Sequence, residues 1–168
     1  MAKSTTGGSG TPATTAAAKA KISYALHPYE TGAHAEGGPK PYGEAAADAL
    51  DVPYERLFKT LLAEVDGEFT VAVVPVAAGL DLKALAVAAG GKRAKLAEPR
   101  TAERVTGYVV GGISPLGQRR RLPTILDETA SGFATIFVSA GRRGLQIELA
   151  PADLIRLTAA RPAPIANK

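Results

Sequence analysis

Hydrophobic and polar residues alternate along this chain in short runs, and the changing period predicts a mixture of strands and helices. Apolar residues at 22, 24 and 26 alternate with polar ones, as in a half-buried strand. Residues 56–65 and 69–76 predict two more strands, and the Asp66-Gly67 dipeptide between them is typical of a hairpin turn. Further strands are predicted at residues 123–126, 133–138 and 145–149.

Helices are predicted between these strands from their capping residues. Thr11 followed by Pro12 and a run of strong helix formers is typical of a helix N-terminus. Asp81 is expected to cap a helix that ends at Gly90, and residues 43–50, 98–105 and 151–158 predict three more. Because strands and helices do not alternate strictly, the order predicts an α+β fold: a mixed β-sheet or partial barrel flanked by short helices.

Three segments lack this periodicity. Residues 1–10 are rich in Ser, Thr and Gly and predict a disordered head, and residues 30–41, with three Gly and two Pro, predict a loop. Residues 159–168 are interpreted as a C-terminal tail. The remaining 11–158 predict one folded domain, which suits a chain of 168 residues.

Composition excludes several kinds of chemistry. The chain has no Cys, which excludes disulfides, thiolate metal sites and a Cys nucleophile. Its two histidines, His27 and His34, have no triad or metal-ligand context, so we expect neither metal nor cofactor. The most apolar run, residues 70–82, contains Pro75 and is too short to cross a bilayer, and no apolar leader is visible. A cytoplasmic protein without membrane contact is expected.

Positive charge is concentrated in loops. The chain has 20 Lys and Arg against 16 Asp and Glu, and three of its basic clusters lie at Lys92–Lys95, Arg119–Arg121 and Arg142–Arg143. Arginines beside glycines suit contact with a phosphodiester backbone. A solvated surface that aids solubility is the alternative, and the sequence leaves both open.

Two further segments are candidates for chemistry. Lys59 lies on a predicted strand, opposite Phe58 and among apolar neighbours, so it either extends to solvent at an edge or reaches into a cleft toward an anion. The loop from Gly111 to Ser114 begins with paired glycines, whose backbone N–H groups can approach a carbonyl oxygen or oxyanion closely. An ordinary glycine-rich connection is the alternative for this loop.

The order and spacing of several motifs closely resemble the YbaK family. The motifs are KISYALHPYE, FKTLLAEVDGEFTVAVVPV, GYVVGGISPLGQRRRLPTILDE and FATIFVSAGRRGLQIELAPADL. This family comprises free-standing trans-editing proteins similar to the editing domain inserted in bacterial prolyl-tRNA synthetases. The resemblance covers about residues 11–158. The chain departs from the family in its long head and in reading SAGRR where some relatives resemble SGGKR.

The resemblance implies a fold, an activity and a site. It implies a compact mixed β-barrel flanked by helices and a deacylase that hydrolyses mischarged Cys-tRNA(Pro), with the substrate's own thiol attacking the ester. Lys59 would be the catalytic residue and would bind a phosphate or a terminal ribose group. The expected substrate-binding residues are Tyr29, Thr60, Gly111, Gly112, Ile113, Ser114, Ser139 and Gly141. The arginines expected to bind tRNA are Arg119, Arg120, Arg142 and Arg143.

Partners and alternatives follow from the same resemblance. The acceptor end of tRNA(Pro) is the expected partner, and prolyl-tRNA synthetase is a second one to test. An aminoacyl ester is already activated, so positioning and oxyanion stabilisation suffice for its hydrolysis. Two alternatives stay open: a deacylase of the alanyl-tRNA(Pro) type, and a non-catalytic module that binds tRNA or a synthetase.

Overall fold

The computed structural model describes residues 10–30 and 40–167. The predicted head up to residue 9, His34 and the predicted loop over 31–39 lie outside the described residues. The described helices are α1 (Pro12–Ala20), α2 (Tyr42–Leu50), α3 (Leu82–Ala88), α4 (Pro99–Thr106) and α5 (Pro151–Thr158), with one 3-10 turn at Glu128–Gly132. The strands are β1 (Tyr24–Pro28), β2 (Phe58–Val65), β3 (Glu68–Pro75), β4 (Ala94–Leu96), β5 (Thr124–Asp127), β6 (Ile136–Arg142), β7 (Leu145–Leu149) and β8 (Arg161–Ala163).

Two sheets organise the chain. The smaller one has the antiparallel order β1-β7-β6, and the larger one has the order β4-β2-β3-β5-β8. In the larger sheet β4, β2 and β3 pair antiparallel, whereas β3, β5 and β8 pair parallel. The α+β class with a mixed sheet is therefore confirmed.

The predicted partial barrel is not formed by the described strands. The two sheets approach each other at a single parallel bridge between Leu57 and Phe137, where the N–H of Phe137 donates to the carbonyl of Arg56 at 3.1 Å. Elsewhere the strands of the two sheets do not pair, so neither sheet closes on itself or on the other.

The core forms on both faces of the larger sheet because its strands alternate. Phe58 and Leu62 of β2 belong to the main apolar cluster, which also takes residues from β6, β7, α1, α4 and α5. Ala63 and Val65, in contrast, pack with Leu85 of α3 in a second cluster. A third cluster joins α2 to the bridge between the sheets and consists of Ala46, Ala47, Leu57, Val76 and Phe137.

Several predicted local signals are confirmed. Thr11 caps α1 by accepting a hydrogen bond from the N–H of Thr14, and Asp81 caps α3 in the same way through Ala84. Asp66 and Gly67 both have positive φ, +50° and +86°, as a two-residue hairpin turn of the I′ type requires. None of the described helices is long and apolar enough to cross a membrane.

Two segments differ from the predictions. Strand β6 begins at Ile136 instead of residue 133 and continues to Arg142, with a bulge between Ser139 and Arg142. The segment predicted as a tail contains β8, which pairs with β5, and Ile165, which is fully buried. The carboxylate of Asp127 accepts hydrogen bonds from the N–H groups of Ile165 and Ala166. A backbone held in this way is part of the fold, although its prolines resemble a tail in sequence.

Candidate active site

The edge of strand β2 that faces away from β3 is paired at both ends and open in the middle. Residues 63–65 pair with β4, and Leu57 bridges to Phe137, but residues 59–61 have no strand partner on this edge among the described residues. The N–H of Val76 donates to the carbonyl of Leu57, so Leu57 and every second residue after it form hydrogen bonds with β3. Because hydrogen-bonding directions alternate along an antiparallel strand, the N–H and C=O of Thr60 point to the open edge.

A cavity of about 370 Å³ lies against this open edge. Its volume is within the range of small-molecule sites in proteins. The walls come from both sheets, from the start of α2 and α4, and from the loop after α4. The lining residues are Tyr29, Pro41, Tyr42, Gly43, Leu57–Leu62, Leu96, Ala97, Pro99, Ala102, Val110, Gly111, Ile113, Ser139 and Gln146.

Lys59 is the one charged side chain among these described lining residues. It is half-buried, and it has no hydrogen bond or ion pair with any described residue. Gly43 of α2 lies beside it: a Cβ at Gly43 would lie 2.5 Å from Val76 and 4.0 Å from the Cβ of Lys59. The absence of a side chain at Gly43 therefore allows α2 to form the wall next to the lysine.

Two buried polar atoms in the cavity wall have no hydrogen-bond partner in the part of the chain that the structure describes. They are Oγ1 of Thr60 and Oε1 of Gln146, whose residues are 8% and 4% exposed. Unpaired buried polar groups are rare in folded proteins because each costs the free energy of its desolvation. Their presence on one cavity wall indicates a site that hydrogen-bonds to a ligand.

Gln146 was not predicted as a site residue. It alternates with Leu145 and Ile147 on β7, so the sequence pattern assigns it to the solvent-facing side of a half-buried strand. In the structure it lies opposite Ser139 of β6 and is buried by the cavity walls. Tyr42, at the start of α2, is the other polar lining residue that sequence reasoning missed.

The loop after α4 is held by several hydrogen bonds. The hydroxyl of Tyr108 donates to the carbonyl of Leu116 at 2.5 Å, and burial raises the pKa of Tyr108 to about 12. The carboxylate of Glu103 accepts from the N–H of Val110 at 2.8 Å. Gly111 has a φ of +89°, which favours glycine, and it lines the cavity together with Ile113.

Three predicted substrate-binding residues do not line this cavity. The N–H of Gly112 already donates to the carbonyl of Val109 at 2.8 Å, and its Cα packs against the backbone of residues 142 and 143. Ser114 is fully buried, and its hydroxyl accepts from the N–H of Leu116. Gly141 forms the bulge of β6 with a φ of +105° and packs near Thr11 and Tyr108. These residues pack behind the cavity walls. Of the predicted site residues, those that line the cavity are Tyr29, Lys59, Thr60, Gly111, Ile113 and Ser139.

The four predicted tRNA-binding arginines are exposed and have different neighbours. Arg119 donates to the carbonyl of Arg104, and Arg120 lies over the ring of Phe69, at 5.6 Å, beside a different cavity. Arg142 bonds to the carbonyl of its neighbour, Arg143. Arg143 alone contacts residues of the main cavity, namely Tyr42 and Val110.

A polar network supports β1 and β7 next to the cavity. The carboxylate of Glu148 accepts from Thr135 at 2.6 Å and from Arg56 at 3.0 Å, and it pairs with His27 at 2.9 Å. Burial raises the pKa of Glu148, but these hydrogen bonds and the neighbouring positive charges hold it below its ordinary value. His27, considered above as a lone histidine, is thus placed in a structural network.

Comparison with known proteins assigns the chain to a family. The model of the aminoacyl-tRNA editing domain matches residues 40–157, which include β2, the loop after α4 and the turn between β6 and β7. The chain belongs to this family. The resemblance to YbaK proteins is thereby confirmed.

Among the described residues, no group of three or more His, Asp and Glu side chains is arranged to hold a metal ion.

Individual relatives agree with the assignment. A protein of Enterococcus faecalis (strain ATCC 700802 / V583), provisionally named the Cys-tRNA(Pro)/Cys-tRNA(Cys) deacylase EbsC, is 43% identical over 128 residues, which are 74% of this chain and 77% of the relative. A crystal structure assigned as a trans-editing enzyme for prolyl-tRNA synthetase has a TM-score of 0.82 at 21% identity, covering 98% of this chain and all of the other. The crystal structure of a hypothetical protein has a TM-score of 0.80 at 22% identity, covering 93% and 99%. At these identities the structural likenesses establish the fold.

Proposed function

We propose that this protein is a trans-editing aminoacyl-tRNA deacylase whose substrate is Cys-tRNA(Pro). The deacylase class follows from the editing family and from the relative named as a deacylase of cysteinyl-tRNA. The proposal places the aminoacylated ribose of the acceptor end in the cavity beside β2. It also places the protein in the cytoplasm, where charged tRNA is used, and includes prolyl-tRNA synthetase as a partner that supplies tRNA(Pro).

One observation carries the proposal. The cavity combines a single lysine with two unpaired polar atoms, Thr60 Oγ1 and Gln146 Oε1, and its described lining contains no His, Asp or Glu. Such a site offers hydrogen bonds and one positive charge but no general base of the usual kind. An activated ester is the substrate class that this equipment suits, because positioning and charge stabilisation are sufficient for its cleavage.

The same equipment suits a reaction in which the substrate supplies the nucleophile. In a cysteinyl ester, the thiol sulfur attacks the carbonyl carbon, and the new C–S bond closes a thiolactone. The thiol gives up its proton as the C–S bond forms, and the ribose oxygen leaves with the electrons of the C–O bond and takes up a proton, so atoms and charge balance. In this proposal Lys59 binds the ribose or phosphate side of the ester, and backbone N–H groups at Thr60 and Gly111 stabilise the developing oxyanion.

Selectivity would then depend on the amino acid's own chemistry. Cavity size alone discriminates poorly between near-isosteric small amino acids. A thiol requirement separates cysteine from alanine and proline, because neither of those side chains has a nucleophile. The unpaired oxygens of Thr60 and Gln146 are proposed to accept hydrogen bonds from the amino acid and to orient its carbonyl.

The experiment measures loss of the amino acid from Cys-tRNA(Pro), Ala-tRNA(Pro) and Pro-tRNA(Pro) with the wild type and two lysine variants. We expect the wild type to remove cysteine selectively and Lys59→Ala to lose this activity while melting at the wild-type temperature. Lys83→Ala is the matched control, because Lys83 is an exposed lysine on α3, a helix that contributes no residue to the cavity lining.

Three outcomes would contradict the proposal. If the wild type left the spontaneous hydrolysis rate of all three esters unchanged, the protein would be a binding module. If alanine were removed as fast as cysteine, the substrate's thiol would have no role. If Lys59→Ala kept near wild-type turnover, the lysine would not be part of the site.

A further inference from the structure

The side chain of Arg143 is exposed and is held against two residues that line the cavity. Arg143 follows β6 in the turn to β7. Its Nε donates to the carbonyl of Val110 at 2.8 Å, and its guanidinium carbon lies 4.7 Å from the ring centre of Tyr42. Val110 and Tyr42 both line the cavity, on different walls. The guanidinium therefore bridges the two walls at their outer end.

Gly111 keeps the space that this arrangement needs. A Cβ on Gly111 would lie 2.9 Å from Nε of Arg143 and 2.9 Å from two ring atoms of Tyr42. Any side chain at this position would therefore displace the guanidinium, the ring or both. The φ of +89° at Gly111 adds a second reason for glycine.

The positive charge of Arg143 is not compensated by the described residues. Its side chain forms no ion pair with a carboxylate among them, and only Nε of its three nitrogens makes a hydrogen bond. The N–H groups of the two terminal nitrogens have no hydrogen-bond partner among the described residues. An arginine that is already held in place and keeps its planar fork free suits binding of a phosphate.

Arg142, the preceding residue, provides a contrast. It is equally exposed, but it stacks on no aromatic ring, and one of its terminal nitrogens donates to the carbonyl of Arg143 at 3.3 Å. Two adjacent arginines thus have the same charge but differ in attachment to the cavity.

We propose that Arg143 forms an anion subsite at the cavity mouth, which binds the phosphate of the terminal nucleotide when its acylated ribose occupies the cavity. This inference rests on the proposed function for the identity of the ligand. In an aminoacyl-tRNA the ester and the nearest phosphate are attached to the same ribose, so a group inside the cavity and one at its mouth can hold both ends. Of the two roles proposed for Lys59, binding of the ribose is then the one that remains.

The test compares two stable analogues that carry an amide in place of the ester. They are 3′-cysteinylamino-3′-deoxyadenosine with a free 5′-hydroxyl and the same compound with a 5′-phosphate, and their binding is measured by calorimetry. We expect the phosphate to improve wild-type affinity roughly 10-fold or more, as one charge-assisted hydrogen-bonded pair provides. Arg143→Ala should lose this gain, Arg143→Lys should keep only part of it, and Arg142→Ala should keep all of it.

Binding of the unphosphorylated analogue separates a phosphate subsite from a merely structural role. The loop after α4 is also held by Glu103 and Tyr108, so Arg143→Ala should bind this analogue with wild-type affinity. The inference is overturned if the phosphate gain persists in Arg143→Ala, if this variant loses affinity for both analogues equally, or if the wild type shows no gain or binds neither analogue. Hydrolysis of cysteinyl-tRNA is measured separately. A wild type that shows the gain but no hydrolysis refutes the deacylase and not the subsite, whereas hydrolysis without the gain refutes the subsite alone.

Discussion

Replacing Thr60 by valine should make the protein more stable and less active. The hydroxyl of Thr60 is buried in a residue that is only 8% exposed, and it has no hydrogen-bond partner among the described residues. Leaving a buried hydroxyl unpaired costs about 1–3 kcal/mol. Valine has nearly the same shape without the polar atom, so Thr60→Val should raise the free energy of unfolding by about 1 kcal/mol or more. For a domain of this size that corresponds to an increase in Tm of roughly 2–4 °C.

Thr124 offers a matched control on strand β5. It is 7% exposed, and its hydroxyl donates to the carbonyl of Leu122 at 3.1 Å. Thr124→Val removes a hydrogen bond that is made, so it should lower the free energy of unfolding by about 1 kcal/mol. The two variants carry the same chemical change in strands of one sheet, and the expected signs are opposite.

Thermal and urea unfolding measure the first effect, and the initial rate of cysteinyl-tRNA deacylation measures the second. If Thr60 Oγ1 accepts a hydrogen bond from the substrate, its loss should slow turnover about 2- to 10-fold, the effect of one hydrogen bond. A Thr60→Val variant destabilised as much as Thr124→Val would show that the hydroxyl is already satisfied in the free protein. That result would refute the interpretation of the cavity wall as an unpaired ligand-binding surface.

Two further variants test the surroundings of the site. Gly112→Ala should lower the free energy of unfolding by about 1–3 kcal/mol, because its Cβ would lie 2.8–2.9 Å from the backbone of residues 142 and 143. Gly132→Ala is the control, because a Cβ at Gly132 meets nothing within 4 Å. Equal melting temperatures of the two variants would contradict the packing argument. Glu148→Gln should be less stable than the wild type at neutral pH. The pKa of Glu148 is lower in the folded state, so its stabilising effect is present above the ordinary carboxyl pKa and is lost as the pH falls through the folded-state value. The difference in free energy of unfolding between wild type and Glu148→Gln, measured in urea, should therefore shrink between pH 7 and pH 3. A difference that stays constant would refute the stabilising role of the Glu148 carboxylate.

The elements that were predicted correctly are determined by interactions between residues close in sequence. The caps of Thr11 and Asp81 and the hairpin turn at Asp66-Gly67 depend on neighbouring residues, so short motifs were sufficient to place them. Strand β8 was missed because its pairing with β5 is a long-range contact and because Pro162 within it disfavours a strand. The barrel expected from the family resemblance was wrong because closure depends on how two sheets pair, which no local pattern specifies.

The candidate site was predicted in part for a similar reason. Lys59 and Gly111 lie in motifs that the family resemblance identifies, and both line the cavity. Gly112 and Ser114 belong to the same motif but serve the packing of the loop, since one touches the backbone of the β6–β7 turn and the other bonds to Leu116. A motif specifies a segment, whereas the side of that segment facing the ligand is decided by tertiary contacts.

The cavity is found where regular hydrogen bonding is interrupted. Strand β2 leaves Thr60 on an open edge, β6 forms a bulge after Ser139, and β7 buries Gln146 where its alternation predicts a solvent-facing residue. Each interruption lowers stability locally, yet all three border one cavity, which is where departures from local rules are expected if they serve function. Polar groups that must bind a ligand cannot be satisfied within the protein beforehand. The increase in the free energy of unfolding expected of Thr60→Val therefore measures the stability that is lost because the Thr60 hydroxyl is left unpaired for a ligand.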